Sequence, residues 1–386
     1  MFKLSKKLQS LPPYLFVEID KAKRKARAEG RDIIDLGIGD PDQPTPKYII
    51  EALYQAAQDP ATHKYALDQG MPALRRAIEG WYKRRFSVSL SPDSEILPLI
   101  GSKEGIAHFP LAFINEGDYS LVPDPCYPPY QGGTILAGGR PHLMPLLETN
   151  SFLPDFKKIP ATVLKKAKLL YINYPNNPTG ATAEKYFYKD AVAFARKHKL
   201  VLISDLAYSE MSYDGYKPSS IFEVEGAKEV AIEFHSLSKT YNMTGWRVGC
   251  ACGNAELVAA LARVKSNIDS GIFSAIQLAG IAALEGPQEH VANMCKTYQE
   301  RRDLLVNGLR SLGWQVKSPK ATFYLWIKVP KKSNSIDFAS LLLQKANIVA
   351  TPGVGFGKHG EGYIRMALTV PTQRISEALE RLKKIA

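Results

Sequence analysis

The chain has 386 residues, of which 45% are hydrophobic and 23% are charged, and its formal net charge is +12. This composition is typical of a globular protein and excludes a disordered chain. No apolar run approaches the roughly 20 residues that a bilayer span requires, which argues against a membrane protein. The basic N-terminus lacks the apolar segment of a secretory signal, and we therefore predict a cytoplasmic location.

The positive charge raises the question of nucleic-acid binding. The densest basic run lies at residues 21–31, KAKRKARAEGR, where interspersed Ala and Glu favour a solvated helix face instead. A small anionic substrate and a phosphorylated cofactor suit a positive field as well. We therefore expect small-molecule partners, and neither nucleic acid nor a membrane.

The cysteines and histidines do not indicate a metal site. The four cysteines, Cys126, Cys250, Cys252 and Cys295, form no CxxC pair, and the seven histidines are scattered. Cys250 and Cys252 are predicted to share one face of a strand, where burial is the ordinary role of a cysteine. We expect no bound metal.

From residue 95 onward, short apolar runs alternate with helix-like segments. The apolar runs are residues 95–101, 119–124, 141–147, 168–174, 200–205, 230–237 and 247–253. An amphipathic helix pattern lies before the fifth run, and residues 255–268 form another. This alternation predicts an α/β fold with a mainly parallel sheet.

The pattern changes after about residue 280. A charged amphipathic helix is followed by a strand at TFYLWIKV, a helix at FASLLLQKA, a strand at IRMALT and a terminal helix at ISEALERLKKI. The longer spacing predicts a second, smaller α+β domain that packs closely on the first. We assign residues 1–40 to an N-terminal arm and part of the small domain, residues 41–280 to the large domain, and residues 281–386 to the small C-terminal domain.

Three consecutive predicted strands end in polar clusters. These are NYPNNPTG at 173–180, SDLAYSE at 204–210 and HSLSKTYNMTGWRVG at 235–249. Taken alone, Asp205 is readily explained as a helix N-cap and Asn177 as a turn residue. Ligands, however, collect beyond the carboxyl ends of the strands in open parallel sheets. The three clusters together therefore predict a shared ligand site.

Lys239 is the reactive group of the third cluster. A lysine in a shielded pocket loses charge stabilisation, so its pKa falls and its neutral amine becomes a nucleophile toward an aldehyde. Ser236, Ser238 and Arg247 suit a phosphate, as does the strand-to-helix junction at Ser102 in GSKEGIAHF. An aldehyde, a phosphate and a protonated ring nitrogen for the carboxylate of the second cluster occur together in pyridoxal 5'-phosphate (PLP).

These motifs carry a family resemblance that covers nearly the whole chain. NNPTG, SDLAYSE and SLSKTYNMTGWRVG occur in the order and spacing of the fold-type I PLP-dependent aminotransferases of class I/II. Within that family the chain is most similar to the LL-diaminopimelate aminotransferase group, on the segments PPYLFVEIDKAK, DLGIGDPDQPTP, LIGSKEGIAHFPLAFIN, EFHSLSKTYNMTGWRVG, KSNIDSGIF, TFYLW and GEGYIRMALT. The resemblance implies an aspartate aminotransferase-like fold, with a mainly parallel seven-stranded sheet in a large PLP-binding domain and a smaller α+β domain.

The resemblance also implies how the cofactor is held. Lys239 matches the Schiff-base lysine, Asp205 the partner of the ring nitrogen, and Tyr208 a hydrogen-bond donor to the ring oxygen; these three are the implied catalytic residues. Asn177 is implied to contact the same ring oxygen, and Tyr127 to stack on the ring. The implied phosphate contacts are Ser102, Lys103, Ser236, Ser238 and Arg247.

A substrate site follows from the same resemblance. Arg365 matches the arginine that binds the substrate α-carboxylate, a task that a planar guanidinium performs better than an ammonium group. Gly39 matches a glycine whose backbone N–H faces that carboxylate. The other implied substrate contacts are Tyr14, Tyr65, Lys103, Tyr127 and Asn177.

Three positions imply a second subunit. Tyr14, Tyr65 and Asn267 match residues that the family supplies from the partner chain, with Ser270 as an alternative to Asn267. Tyr65 and Asn267 are implied to contact the cofactor across the interface. The resemblance therefore implies a homodimer with shared active sites.

The implied reaction is transamination between LL-2,6-diaminopimelate and 2-oxoglutarate, which gives tetrahydrodipicolinate and glutamate in lysine biosynthesis. Lys239 is implied to move the substrate α-proton. Two alternatives remain open: an aminotransferase for alanine, aspartate or an aromatic amino acid, and a PLP-dependent C–S lyase. A DNA-binding regulator built on the same fold is disfavoured, because 386 residues leave no room for an added domain.

Overall fold

The structure is a computed structural model that describes residues 2–12, 15–66, 69–330 and 333–385. Its strands are β1 Ile34–Asp35, β2 Ile96–Leu99, β3 Tyr119–Asp124, β4 Arg140–Pro145, β5 Ala167–Asn173, β6 Val201–Asp205, β7 Ala231–Ser236, β8 Gly249–Gly253, β9 Tyr324–Lys328, β10 Ile348–Val349, β11 Thr351–Pro352 and β12 Tyr363–Ala367. Its α-helices are α1 Lys6–Gln9, α2 Leu15–Ala28, α3 Lys47–Gln58, α4 Pro72–Phe86, α5 Ser102–His108, α6 Pro110–Phe113, α7 Pro129–Leu136, α8 Ala161–Leu164, α9 Lys185–His198, α10 Ala227–Val230, α11 Leu237–Thr240, α12 Ala255–Lys265, α13 Ser274–Glu285, α14 Glu289–Ser311, α15 Ser335–Ala346 and α16 Thr372–Leu382.

The central sheet has seven strands in the order β2-β8-β7-β6-β5-β3-β4. The five strands from β4 to β7 pair in parallel, whereas β8 is antiparallel to both β7 and β2. In register, Asn173 at the end of β5 pairs with Asp205 at the end of β6, and Asp205 pairs with Phe234 on β7. The three polar clusters therefore leave the sheet side by side.

Helices cover both faces of this sheet, which explains why its central strands are mostly apolar. One core joins the sheet to Tyr82 of α4 and Ala191 of α9. The core on the other face includes Ile106 of α5 and Leu261 of α12. The sheet is thus buried on both sides, and its strand ends remain the accessible part.

The C-terminal lobe contains a three-stranded antiparallel sheet in the order β11-β12-β9. Its core includes Tyr298 of α14, Leu342 of α15 and Ile375 of α16. β1 pairs in parallel with β10, so the N-terminal segment joins this lobe. The domain limits at residues 40 and 280 stay a prediction.

The predicted fold class is confirmed. Each of the seven predicted apolar runs overlaps one strand of the mainly parallel sheet. The basic run at 21–31 lies largely on α2 and is mostly exposed, but it is not only a solvated face. Lys23 is buried, and its Nζ atom is paired with Asp35 Oδ2 on the neighbouring β1 at 3.0 Å.

Cys250 and Cys252 lie two residues apart on β8, and both are buried free thiols. Across the described ranges, no group of three His, Cys, Asp or Glu side chains is placed to hold a metal ion. A search of the same residues finds no helix with the length and apolar character of a membrane span.

Candidate active site

A cavity of about 240 Å³ lies at the carboxyl ends of β5, β6 and β7, between the central sheet and the C-terminal lobe. The sequence-predicted residues that line it are Gly39, Ser102, Lys103, Tyr127, Asn177, Asp205, Tyr208, Ser236, Ser238, Lys239, Arg247 and Arg365. The fold therefore gathers all three polar clusters, the start of α5 and an arginine of the second sheet around one space.

Lys239 enters the cavity from α11, the single turn that follows β7. Ser236 caps this turn, since its Oγ atom accepts a hydrogen bond of 3.2 Å from the backbone N–H of Ser238. The Lys239 Nζ atom donates to the carbonyl oxygen of Gly39 at 2.8 Å. Burial lowers the pKa of the Lys239 amine to about 8, and the nearby Arg365 guanidinium acts in the same direction. A large share of this amine is therefore neutral under mildly basic conditions.

Asp205 lies at the end of β6 with its carboxylate at the cavity wall. Its Oδ2 atom accepts a hydrogen bond of 2.6 Å from the Tyr130 hydroxyl, and its Oδ1 atom accepts one of 3.3 Å from the backbone N–H of Ala207. Burial raises the pKa of Asp205 to about 6, although the Tyr130 hydrogen bond opposes this shift. A buried carboxylate with so few donors favours a cationic partner in the cavity.

Hydrogen-bond donors converge at another part of the cavity. Arg247 has a left-handed backbone (φ +59°), and its Nη1 atom donates to the Thr244 carbonyl at 2.8 Å. A Cβ atom at Gly101 would collide with the Arg247 guanidinium, and one at Gly249 would lie 2.6 Å from the Ser102 nitrogen. These two glycines allow the guanidinium and the start of α5 to approach each other, which suits an anion.

Arg365 comes from β12 in the C-terminal lobe and is 3% exposed. Its Nη1 and Nη2 atoms each donate at 2.8 Å, to Asn177 Oδ1 and to the Gly37 carbonyl respectively. Its Cζ atom lies 4.1 Å from the ring centroid of Tyr324 and 4.6 Å from that of Phe356. Two aromatic rings thus hold the guanidinium plane in a fixed orientation.

Two loops join the lobes beside the cavity. The backbone N–H of Cys126 donates to the Phe356 carbonyl at 2.9 Å, and His359 Nδ1 lies 2.5 Å from Asp124 Oδ2. Burial raises the pKa of Asp124, while its contacts with His359 act against this shift. The loop that carries Tyr127 is therefore tied to the loop that carries one ring of the Arg365 sandwich.

Three predicted residues lie elsewhere. Tyr65 is 92% exposed and borders a shallow depression together with Ser270. The Asn267 side chain donates to the Arg263 carbonyl at 2.9 Å on the exposed surface. Neither Tyr65 nor Asn267 lines the cavity of its own protomer, and their action from a second subunit stays a prediction. Tyr14 lies outside the described residues.

The sequence-based prediction did not assign roles to Tyr130, Tyr324 or Phe356. Tyr130 follows Tyr127 by three residues in DPCYPPY, across the start of α7, and the centroids of the two rings lie 5.8 Å apart. Tyr324 and Phe356 belong to the C-terminal lobe, and no local pattern indicates that they approach Arg365.

The comparisons with known proteins follow the same direction. The family model for aminotransferase class I and II matches residues 31–382. The chain belongs to this family. The LL-diaminopimelate aminotransferase of Syntrophobacter fumaroxidans is 56% identical over 385 residues, which cover 100% of this chain and 99% of the relative.

Solved structures agree in fold. Substrate-bound BacF from Bacillus subtilis has a TM-score of 0.96 and 39% identity, with 100% of this chain and 98% of that chain covered. A single mutant of the Thermus thermophilus aspartate aminotransferase has a TM-score of 0.93 and 29% identity, with 100% of both chains covered. These similarities confirm the predicted aspartate aminotransferase-like fold. The class I and II aminotransferases depend on PLP.

Proposed function

We propose that this aminotransferase binds PLP and transfers an amino group from LL-2,6-diaminopimelate to 2-oxoglutarate, giving tetrahydrodipicolinate and glutamate. The observation that carries the chemistry is the meeting of Lys239, Asp205 and Arg365 around one cavity. Full-length relatives named LL-diaminopimelate aminotransferase, such as those of Syntrophobacter fumaroxidans and Aquifex aeolicus at 56% and 54% identity, support the choice of substrate.

The groups around the cavity fit this cofactor. A buried carboxylate at Asp205 suits a protonated ring nitrogen, and the neutral amine of Lys239 suits an aldehyde. The groups available to bind the phosphate are the guanidinium of Arg247, the hydroxyls of Ser236 and Ser238, and Ser102 and Lys103 at the start of α5. Gly101 and Gly249 support this fit, because a side chain at either position would displace those donors.

The proposed roles of the chain follow from these positions. PLP supplies an aldehyde that condenses with amines and a pyridinium ring that withdraws electrons from the substrate α-carbon. Asp205 keeps the ring nitrogen protonated, and Tyr208 donates a hydrogen bond to the ring oxygen. Arg365 binds the α-carboxylate and orients the α-hydrogen. Lys239 Nζ, when neutral, would be the group that takes this proton and carries it within the site.

The remaining contacts complete the proposal. Tyr127 would stack on the ring, and Asn177, which already accepts a hydrogen bond from Arg365, would contact the ring oxygen. The backbone N–H of Gly39 serves the α-carboxylate, and Lys103 supplies positive charge for the distal carboxylate of diaminopimelate.

We also infer a homodimer in which the partner subunit completes each site. The support is that Tyr65 is almost fully exposed and that neither it nor Asn267 reaches the cavity of its own protomer. Tyr65 and Tyr14 would then contact the substrate and Asn267 or Ser270 the phosphate. Sedimentation and a mixing experiment between two inactive variants, one altered at Tyr65 and one at Lys239, test this point. Recovery of activity on mixing is expected, and a monomeric active enzyme contradicts it.

A donor comparison tests the substrate. LL-diaminopimelate, aspartate, alanine and phenylalanine should be compared with 2-oxoglutarate as acceptor, and glutamate should be measured. We expect the highest kcat/KM with LL-diaminopimelate. Rapid turnover of another donor without diaminopimelate activity would reject the substrate and retain the reaction class. Release of pyruvate and ammonia from cystathionine would instead indicate a C–S lyase.

Lys239 has its own test. The purified protein should be yellow after PLP is added, and borohydride should attach the cofactor permanently to the peptide that contains Lys239, as shown by mass spectrometry. Lys239→Ala should bind PLP without this attachment. Permanent attachment in Lys239→Ala would assign the reactive amine to another lysine.

A further inference from the structure

Tyr324, the first residue of β9, touches several parts of the cavity that the proposed mechanism uses separately. Its side chain is 2% exposed, so its position is set by packing. Its hydroxyl lies 3.0 Å from the Tyr208 hydroxyl, and its ring lies against the Arg365 guanidinium at 4.1 Å. A Cβ atom at Gly39 would collide with the Tyr324 hydroxyl, so this side chain also lies against the backbone that accepts the Lys239 hydrogen bond.

The direction of the hydrogen bond between the two tyrosines follows from what each hydroxyl has available. Within the described ranges, Tyr208 is the only hydrogen-bond partner shown for the Tyr324 hydroxyl. A Tyr208 hydroxyl that donates into the cavity has its lone pairs left to accept. When Tyr208 donates into the cavity, Tyr324 is the donor of the 3.0 Å hydrogen bond between the two hydroxyls. Such a chain of two hydroxyls polarises the second O–H and strengthens the hydrogen bond that it donates.

We propose that Tyr324 is a positioning residue that links the two ends of the ligand. Its hydroxyl makes Tyr208 a stronger donor to the ring oxygen of the cofactor, and its ring holds Arg365 for the substrate carboxylate. This inference rests on the proposed function, because it assigns a cofactor to one side of the link and an amino acid to the other. The hydroxyl and the ring have separable roles, which two substitutions at one position distinguish.

Tyr324→Phe removes the hydroxyl and keeps the ring. Tyr208 then becomes a weaker donor, and the deprotonated ring oxygen is less well stabilised. In the holoenzyme, the pH titration of the visible absorbance band of the lysine-bound cofactor should shift upward by about half a pH unit. The KM values for amino donor and oxo acceptor should stay within about twofold, since the ring still contacts Arg365.

Tyr324→Leu also removes the ring. The guanidinium loses one of the two rings that it contacts, and the KM values for both substrates should rise about tenfold, because both carry an α-carboxylate. Tyr188→Phe is the matched control. This buried tyrosine does not line the cavity, and its hydroxyl donates a hydrogen bond of 3.3 Å to the Tyr174 carbonyl. Loss of this hydroxyl should therefore change neither the spectral titration nor KM.

The outcomes separate the two levels of the argument. A visible band in the parent protein whose titration is unchanged in Tyr324→Phe overturns the role of the hydroxyl. A Tyr324→Leu variant with a lower melting temperature but unchanged KM overturns the role of the ring. Absence of any visible band in the parent protein after PLP is added rejects the proposed function itself.

Discussion

Asp205 and Glu233 are two buried carboxylates on adjacent strands, and their surroundings are opposite. Glu233 lies inside β7, opposite Ser204, and is fully buried. Its carboxylate accepts hydrogen bonds from the hydroxyls of Tyr82, Ser204 and Ser220 and from the backbone N–H of Ile221. It also contacts the Nε2 atom of His235. Asp205, in the described part of the chain, accepts from Tyr130 and from one backbone N–H.

The pKa values reflect this difference. Burial raises the pKa of both carboxyl groups, but the contacts of Glu233 with His235 and its other donors outweigh burial and lower its pKa. Around Asp205 burial prevails, and its pKa rises to about 6. Burial alone therefore does not identify a functional carboxylate. The small number of hydrogen-bond donors is what distinguishes Asp205, because a buried carboxylate with few donors is stabilised by a cation on its cavity side.

The largest expected contrast is in activity. Asp205→Asn should lower kcat/KM at least about a thousandfold, because the ring nitrogen loses the charge that keeps it protonated. Steady-state kinetics of the PLP-loaded variant measure this effect. Asp190→Asn, at an exposed position of α9, is the control and should remain active. Near-normal activity of Asp205→Asn would remove the functional half of the comparison.

Glu233 should instead govern stability. Glu233→Ala leaves several buried donors without an acceptor and should lower the free energy of unfolding by about 4 kcal/mol. Urea unfolding measures the loss. Glu229→Ala, at a largely exposed ion pair with Arg196, should cost less than about 1 kcal/mol. A similar cost at both positions would show that the Glu233 network contributes little.

The third prediction is an increase in stability on substitution of a buried carboxylate, opposite to the loss expected for Glu233. The folded-state pKa of Asp205 lies above its ordinary value of 3.8, so the folded state binds a proton more tightly than the unfolded state. Stability therefore falls as pH rises from about 4 to 6, and the cost persists above that range. In cofactor-free protein, Asp205→Asn should increase stability by about 3 kcal/mol at pH 8 and by about half of that at pH 5. Thermal unfolding at both pH values tests this, and destabilisation at pH 8 would contradict it.

The smallest effect concerns Tyr130, whose hydroxyl donates a hydrogen bond to Asp205. Tyr130→Phe removes a charge-assisted hydrogen bond and should lower kcat/KM about tenfold and weaken PLP binding. Cofactor titration by fluorescence measures the affinity. Tyr171→Phe is the control, because its ring stacks on Tyr130 but its buried hydroxyl has no hydrogen-bond partner in the described structure. Equal losses in both variants would assign the effect to packing.

The sequence allowed much of this comparison to be predicted, since strands and their polar ends are local patterns. Strands that are buried on both faces appear as apolar runs, and these runs indicated each strand of the sheet. The polar clusters at the ends of the runs indicated Asp205 and Lys239. The donors that distinguish Asp205 from Glu233 were not predictable in this way. Tyr130 and Tyr82 reach their carboxylates through packing between elements that are distant in the chain, and nothing in their local sequence shows the approach.

The limits of the site prediction have the same cause. The role of Arg365 was predicted because it lies in a motif of the family. Tyr324, which lies 41 positions earlier, also belongs to such a motif, but no role was predicted for it. Its neighbours Tyr208 and Gly39 belong to other parts of the chain. Tyr65 and Asn267 lie away from the cavity of one protomer, so a single chain does not test them.

The seam between the lobes has a mechanical consequence. The Cys126–Phe356 and Asp124–His359 contacts fasten the loop of Tyr127 to the loop whose Phe356 ring rests on Arg365. A rigid rotation of the C-terminal lobe that carries Arg365 away must either break this fastening or pull the Tyr127 loop with it. Arg365, proposed to bind the substrate carboxylate, and Tyr127, proposed to stack on the cofactor ring, are therefore linked through these two loops.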